Sequence, residues 1–196
     1  RPLAGARSYP NQAGASSGGS DPSRMNPTVA SGENNRAAST LLASPLVRAG
    51  LVLGAGFGGF ADGILLHQIL GWHHMVCVTA YCQPVSIAQL QQQNTQDGYF
   101  HLGLWLVTLA GTAMLFRAAR PAGTVWSGRV LCGAMLAGCG LFDFVEGLID
   151  HQILGIHHVL PGDPHQLMFD LLYLAGGLLF FAIGAWLPWP SKRPLR

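Results

Sequence analysis

The chain divides at about residue 45. Residues 1 to 45 are rich in Ser, Gly, Ala, Asn and Pro, and stretches such as Ala15-Ser16-Ser17-Gly18-Gly19-Ser20 show no apolar period. Such a segment buries too little apolar surface to offset the entropy of ordering it, so it is expected to be ordered only by partners. From Leu46 onward four apolar runs follow, about Val47 to Leu70, Tyr99 to Phe116, Val125 to Ile149 and Leu167 to Leu187. Each comes close to or exceeds the roughly 20 residues that a bilayer-spanning helix needs. Arg120-Pro121-Ala122-Gly123 and Pro161-Gly162-Asp163-Pro164 carry turn chemistry between the later runs. The ten-residue alternation of β-barrel strands does not occur. The pattern predicts an all-α integral membrane four-helix bundle with an extended N-terminal tail.

The second half of the membrane domain repeats the first. His67-Gln68-Ile69-Leu70-Gly71-Trp72-His73-His74 recurs as His151-Gln152-Ile153-Leu154-Gly155-Ile156-His157-His158, and Asp62-Gly63 aligns with Glu146-Gly147. The membrane domain, 46–190, thus reads as two tandem two-helix repeats, 46–120 and 125–190, followed by a basic end, 191–196. Both copies enter the membrane in the same direction, so their pseudo-twofold axis is expected along the membrane normal. Gly50, Gly54 and Gly58 on the first span, with Ala134 and Gly138 on the third, predict close approach of these equivalent helices.

Composition and charge sharpen this picture. Only 10% of the 196 residues are charged, against about 25% in an ordinary soluble domain, and the mean hydropathy is +0.32. A net charge of +2 offers no basic stripe for nucleic acid, and four Cys exclude a secreted disulfide scaffold. Lys and Arg lie in the tail, at Arg48, at Arg117, Arg120 and Arg129, and in the basic end; none lies between Trp72 and Tyr99 or between His151 and Gln166. The positive-inside rule then places both termini and the second connection in the cytoplasm, with the first and third connections outside. The chain opens on Arg rather than Met and its tail has no signal-type apolar run, which reads as a start inside a longer or processed chain. Expected partners are the lipid bilayer and proteins that contact the tail. Trp186 and Trp189 read as interfacial anchors.

The repeat carries the candidate chemistry. All eight histidines and seven of the nine acids fall in or near the two units, with no Lys or Arg beside them. A carboxylate within a bilayer costs at least ~2.5 kcal/mol, so each must be protonated, accept a hydrogen bond from His, or bind a metal. Imidazole with carboxylate is a transition-metal ligand set. The candidate ligands are His67, His73, His74, His101, His151, His157 and His158, with Asp62, Glu146 and Asp150. Asp97, Asp143, His165 and Asp170 are candidates for orienting those ligands or moving protons.

At 100° per residue, Asp62 and His73 fall within about 20° of each other, and His67 shares a face with His74. The same holds for Glu146 with His157 and His151 with His158. Asp143, Glu146 and Asp150 form an inward stripe, Asp97 and His101 form an i, i+4 pair, and His101 and Asp170 read as equivalent positions. The alternative is that Gly71 and Gly155 end their helices, so that the paired histidines come from turns. Cys77 and Cys82 read as a disulfide in an oxidising compartment, or with Met75 as soft donors for Cu(I). Cys132 and Cys139 read as small buried hydrophobes.

Three functions follow. The first is a metalloprotein with a mono- or dinuclear site near the outer face, copper or iron favoured and zinc possible. It would serve metal handling or redox chemistry, with His67, His73, His151 and His157 as ligands and Glu146 or Asp62 in proton transfer. The second is a haem-binding electron carrier ligated through His67 with His151, or through His101. The third is a non-catalytic subunit of a larger membrane complex, held through the tail. A purely structural polar network is the plain alternative to all three.

The residues from Gly58 to Met75, from Leu141 to Val159 and Asp97-Gly98-Tyr99-Phe100-His101 together resemble the DUF2243 family of bacterial predicted membrane proteins. The resemblance covers about residues 46 to 190. It implies a four-span protein of the bacterial inner membrane and brings no activity with it. The connection holding Cys77 and Cys82 departs from the family pattern.

Overall fold

The computed structural model describes residues 44–77, 82–120 and 127–187. The expectations for the tail, the basic end and Trp189 lie outside these. The described residues form α1 (Pro45–Asp62), which passes into a π-helical segment (Gly63–Ile69); α2 (Ile87–Ala119); α3 (Gly128–Glu146), which passes into a second π-helical segment (Gly147–Ile153); and α4 (Gln166–Trp186). Each helix, with its π extension where present, is long and apolar enough to cross a membrane.

Local chemistry sets the ends. Pro45 occupies the first turn of α1, where its missing N–H would have no intrahelical partner. Ser127 caps α3 by accepting from Val130 N–H. Ser86 caps α2 by accepting from Gln89 N–H at 3.3 Å. That cap starts α2 twelve residues before the Tyr99 expected from hydropathy. The intervening Gln-rich stretch is polar, yet Gln is a good helix former. Polarity there marks exposure above the apolar zone, not the end of the helix.

The π segments occupy equivalent places in the two repeats. Each closes in a left-handed glycine, Gly71 and Gly155, both at φ +58°. Beyond them Trp72 N–H reaches the Leu66 carbonyl and Ile156 N–H the Asp150 carbonyl, a reversal one residue wider than the Schellman motif, as the π turn requires. The paired histidines therefore come from turns, the alternative to a continuous helix, and it is the turn that brings His157 to 3.2 Å from Glu146. The α-helical expectation for His67 with His74 and for His151 with His158 fails for the same reason.

Small residues let the backbones touch. α1 packs on α3, α2 on α1 and α4 on α3; α2 and α4 do not contact each other among the described residues. A Cβ on Gly54 would overlap the Met135 backbone, and one on Gly138 would overlap the Leu51 carbonyl. Gly50 and Gly58 lie against Ala134 and Cys139. The small-residue stripes meet as expected. Cys132 differs from expectation: it is exposed, on an outer face that in this fold is lipid-facing, and Cys139 is only partly buried.

Burial is inverted relative to a soluble protein. The largest fully buried side chains are His67, His73, Gln93, Asp97, Asp170 and Cys82, while Phe57, Leu106, Phe116, Leu172 and Trp186 are exposed. An apolar exterior around a polar interior suits a lipid surround.

Gly54→Ala and Gly138→Ala are expected to destabilise the chain by about 2 kcal/mol or more, because the obstructing atoms are backbone and cannot rotate away. Gly103→Ala, with nothing near its Cβ, should be neutral. Thermal unfolding in detergent checks both.

Candidate metal centre

The cluster forms where the C-terminal ends of α1 and α3 meet the N-terminal ends of α2 and α4. Arg48, Arg117, Arg120 and Arg129 lie toward the opposite end of these helices. Every ion pair among the described residues joins a His to an acid.

The π segments position the first pair in each half. Residues five apart stand about 140° apart on an α-helix. The wider π turn brings them to one side. His67 Nε2 thus lies 3.3 Å from Asp62 Oδ2, and His151 Nε2 lies 3.6 Å from Glu146 Oε1. Gly63 and Gly147 open the segments because rings press on them: a Cβ would come within 2.5 Å of His101 Nε2 or 2.8 Å of Tyr173 Cδ1.

An acid on the second helix of each unit gathers the turn. Asp97 accepts from His74 Nδ1 at 2.6 Å, from Met75 N–H at 2.8 Å and from Gln68 Nε2 at 3.2 Å, and faces His67 Nδ1 at 3.2 Å. Asp170 repeats the pattern with His158 Nδ1 at 2.7 Å, Val159 N–H at 2.9 Å and Gln152 Nε2 at 3.5 Å. Its separation from His151 Nδ1 is 3.7 Å. Asp97, not His101, is therefore the counterpart of Asp170. His101 stacks on Phe60 beside Gly63, apart from Asp97.

The two halves then exchange groups. His73 Nδ1 meets the Val159 carbonyl at 2.9 Å, and His157 Nδ1 meets the Met75 carbonyl at 3.0 Å. Carbonyls only accept, so the single proton of each neutral ring sits on Nδ1 and Nε2 presents a lone pair. The His73 and His157 rings stack at 4.7 Å, with His67 and His151 edge-on at 4.6 and 4.8 Å. Two groups could hold a metal ion, His67–His73–His157 and Glu146–His151–His157, with ligand atoms in each group within 4.8 Å of one another.

The other candidates lie outside these groups. His74 and His158 are turned to Asp97 and Asp170. Asp143 accepts from Cys139 Sγ at 3.7 Å. The π segment rotates Asp150 off the expected stripe, onto the wall of a cavity that Glu146 also lines. His165 precedes α4, its N–H bonded to Asp163. Cys77 and Cys82 form a disulfide, which leaves no thiolate for Cu(I). The Cys82 sulfur accepts from His74 N–H at 3.3 Å, and Gln93, fully buried, donates to the Cys82 carbonyl at 3.0 Å. The supporting roles of Gln68 and Gln152 were signalled only by their recurrence. Gln93 had no repeat mate, and Tyr173, whose ring lies 5.2 Å from His151, carried no motif signal.

A family model described as a predicted membrane protein (DUF2243) matches residues 49–190. No curated protein and no solved structure matches the chain.

His73 lies in the turn beyond the membrane-spanning helices. Burial, with the His157 and His67 imidazoles close by, pushes it down to about 3. Its folded value is below the unfolded one, so its contribution to stability is full above about pH 6.5 and is lost as pH falls toward 3. In chelator-treated protein this residue should add up to about 1.4 kcal/mol of destabilisation per pH unit below 6.5. His73→Gln should flatten that slope in unfolding measured from pH 7.5 to 5, and an unchanged slope would assign the effect elsewhere.

Proposed function

The chain belongs to this family of predicted membrane proteins, and we propose that it is a metalloprotein binding one transition-metal ion near the extracytoplasmic face, for metal handling or redox chemistry. The observation that carries this reading is acceptor facing acceptor. His157 gives its one proton to the Met75 carbonyl, yet its Nε2 lies 3.2 Å from Glu146 Oε1. The buried Nε2 of His73 has no hydrogen-bond partner, and His151 Nε2 stands 3.6 Å from Glu146 without bonding it. A closed polar network would pair these atoms. Leaving one unmade costs about 1–3 kcal/mol, and a cation among them satisfies several at once.

The donor chemistry selects the ion. Imidazole nitrogens and carboxylate oxygens without thiolate suit copper(II) or iron, and accommodate zinc. A tetrahedral ion with bonds of about 2.0–2.1 Å holds its donors roughly 3.4 Å apart, so either group closes on an ion through shifts of about an ångström. His157 belongs to both groups and has one free lone pair, so one ion binds per chain. Ring centroids in contact at 4.6 to 4.8 Å leave no slot for a porphyrin between the histidines. The orientation follows from the arginines at the far end of the bundle, which the positive-inside rule assigns to the cytoplasm.

The full chain purified in detergent is expected to hold one equivalent of copper or iron by mass spectrometry. His157→Ala breaks both groups and should weaken binding by more than the roughly 10–100-fold that loss of a supporting residue costs. His101→Ala should bind as the parent does. Failure to retain copper, iron or zinc after reconstitution, or undiminished metal in folded His157→Ala, would overturn the reading.

A further inference from the structure

A cavity of about 440 Å³ opens beside the cluster, bounded by Leu51 and Ala55 of α1, Phe100 of α2, and α3 with its π extension. Its walls are apolar and include two aromatic rings, Phe100 and Phe142, with centroids 6.3 Å apart. Its volume is within the range of small-molecule sites, roughly 300–1,000 Å³. Lipid tails alone would need only an apolar wall.

This cavity also presents two acids. Glu146 is 9% exposed, and its buried Oε2, the oxygen turned from His157, makes no hydrogen bond of good geometry, although the Tyr173 hydroxyl lies beside the carboxyl. Asp150, half-buried, makes no side-chain hydrogen bond or ion pair with a described residue. No Lys or Arg lines the cavity. Asp150 is also a departure from the repeat: the aligned residue in the first unit is Leu66. The second half alone therefore places an extra acceptor where an apolar chain would otherwise suffice.

We propose that this cavity binds a bilayer-dissolved hydroxyarene, a molecule with an apolar body and a phenolic or hydroquinone head whose hydroxyls donate to Glu146 and Asp150. The rings of Phe100 and Phe142 flank an aromatic head in offset or edge-on contact. The two carboxyl groups supply acceptors that water does not satisfy within a bilayer. A site built to accept from a hydroxyl discriminates strongly against an analogue lacking that proton. The proposal does not require the metal, although Glu146 adjoins both sites.

The test is calorimetric binding of decylhydroquinone and of its dimethyl ether to the full chain in phospholipid nanodiscs, with metal content measured in parallel. The expected result is one site per chain and binding at least about tenfold tighter for the diol, since the ether cannot donate. Asp150→Leu, which installs the first-repeat residue, should reduce that preference to under about threefold while leaving metal content unchanged. Ala55→Phe, which fills the cavity, should abolish binding of both. Equal binding of diol and ether would mean an apolar groove that accommodates lipid tails, and would overturn the proposal. So would no diol binding, or an unchanged preference in folded Asp150→Leu. Loss of metal with the diol preference intact would instead count only against the metal reading.

Discussion

A neutral imidazole carries one N–H, and at both His73 and His157 a backbone carbonyl claims it. That constraint organises the centre. His73 and His157 each give Nδ1–H to a carbonyl from the other repeat. Their Nε2 lone pairs then turn inward, toward groups that also accept. The same two hydrogen bonds tie the halves together across the pseudo-twofold axis. Assembly of the bundle and assembly of the ligand set are therefore one event.

The close approach of α1 and α3 serves the same end. Met135 and Leu51 backbones fill the space that side chains at Gly54 and Gly138 would take. The C-terminal ends of these helices are thereby held near enough for one turn to reach the other repeat. The π segments supply the remaining adjustment, bringing residues five apart to one side. π-Helical turns lie frequently at functional sites, and both copies of this one carry a ligand candidate.

The four spans, the tandem repeat and the histidine–acid composition were legible in the sequence, because hydropathy and recurrence are properties of residue order. The start of α2 was not, since Gln89 to Gln96 is helical through propensity and a serine cap without being apolar. Around His73 and His157 uniform helical angles fail, and the alternative that Gly71 and Gly155 end their helices holds. Neither the wider turn after Asp62 and Glu146 nor the reversal at Gly71 and Gly155 leaves a hydropathy signal. His101 drew attention as a histidine near the motif, but it supports Gly63 from outside. Gln93 sat in a stretch with no periodic signal, and it is buried against Cys82, to whose carbonyl it donates.

Joining the two halves in one polypeptide frees them to differ. Two identical subunits related by an exact axis would place the same residue on both sides, so an acid in one groove would enforce an acid in the other. Here Leu66 stands opposite Asp150, and Phe100 stands opposite Tyr173 at the same spacing from its aspartate. Covalent duplication thus lets a nearly symmetric cage acquire a front and a back.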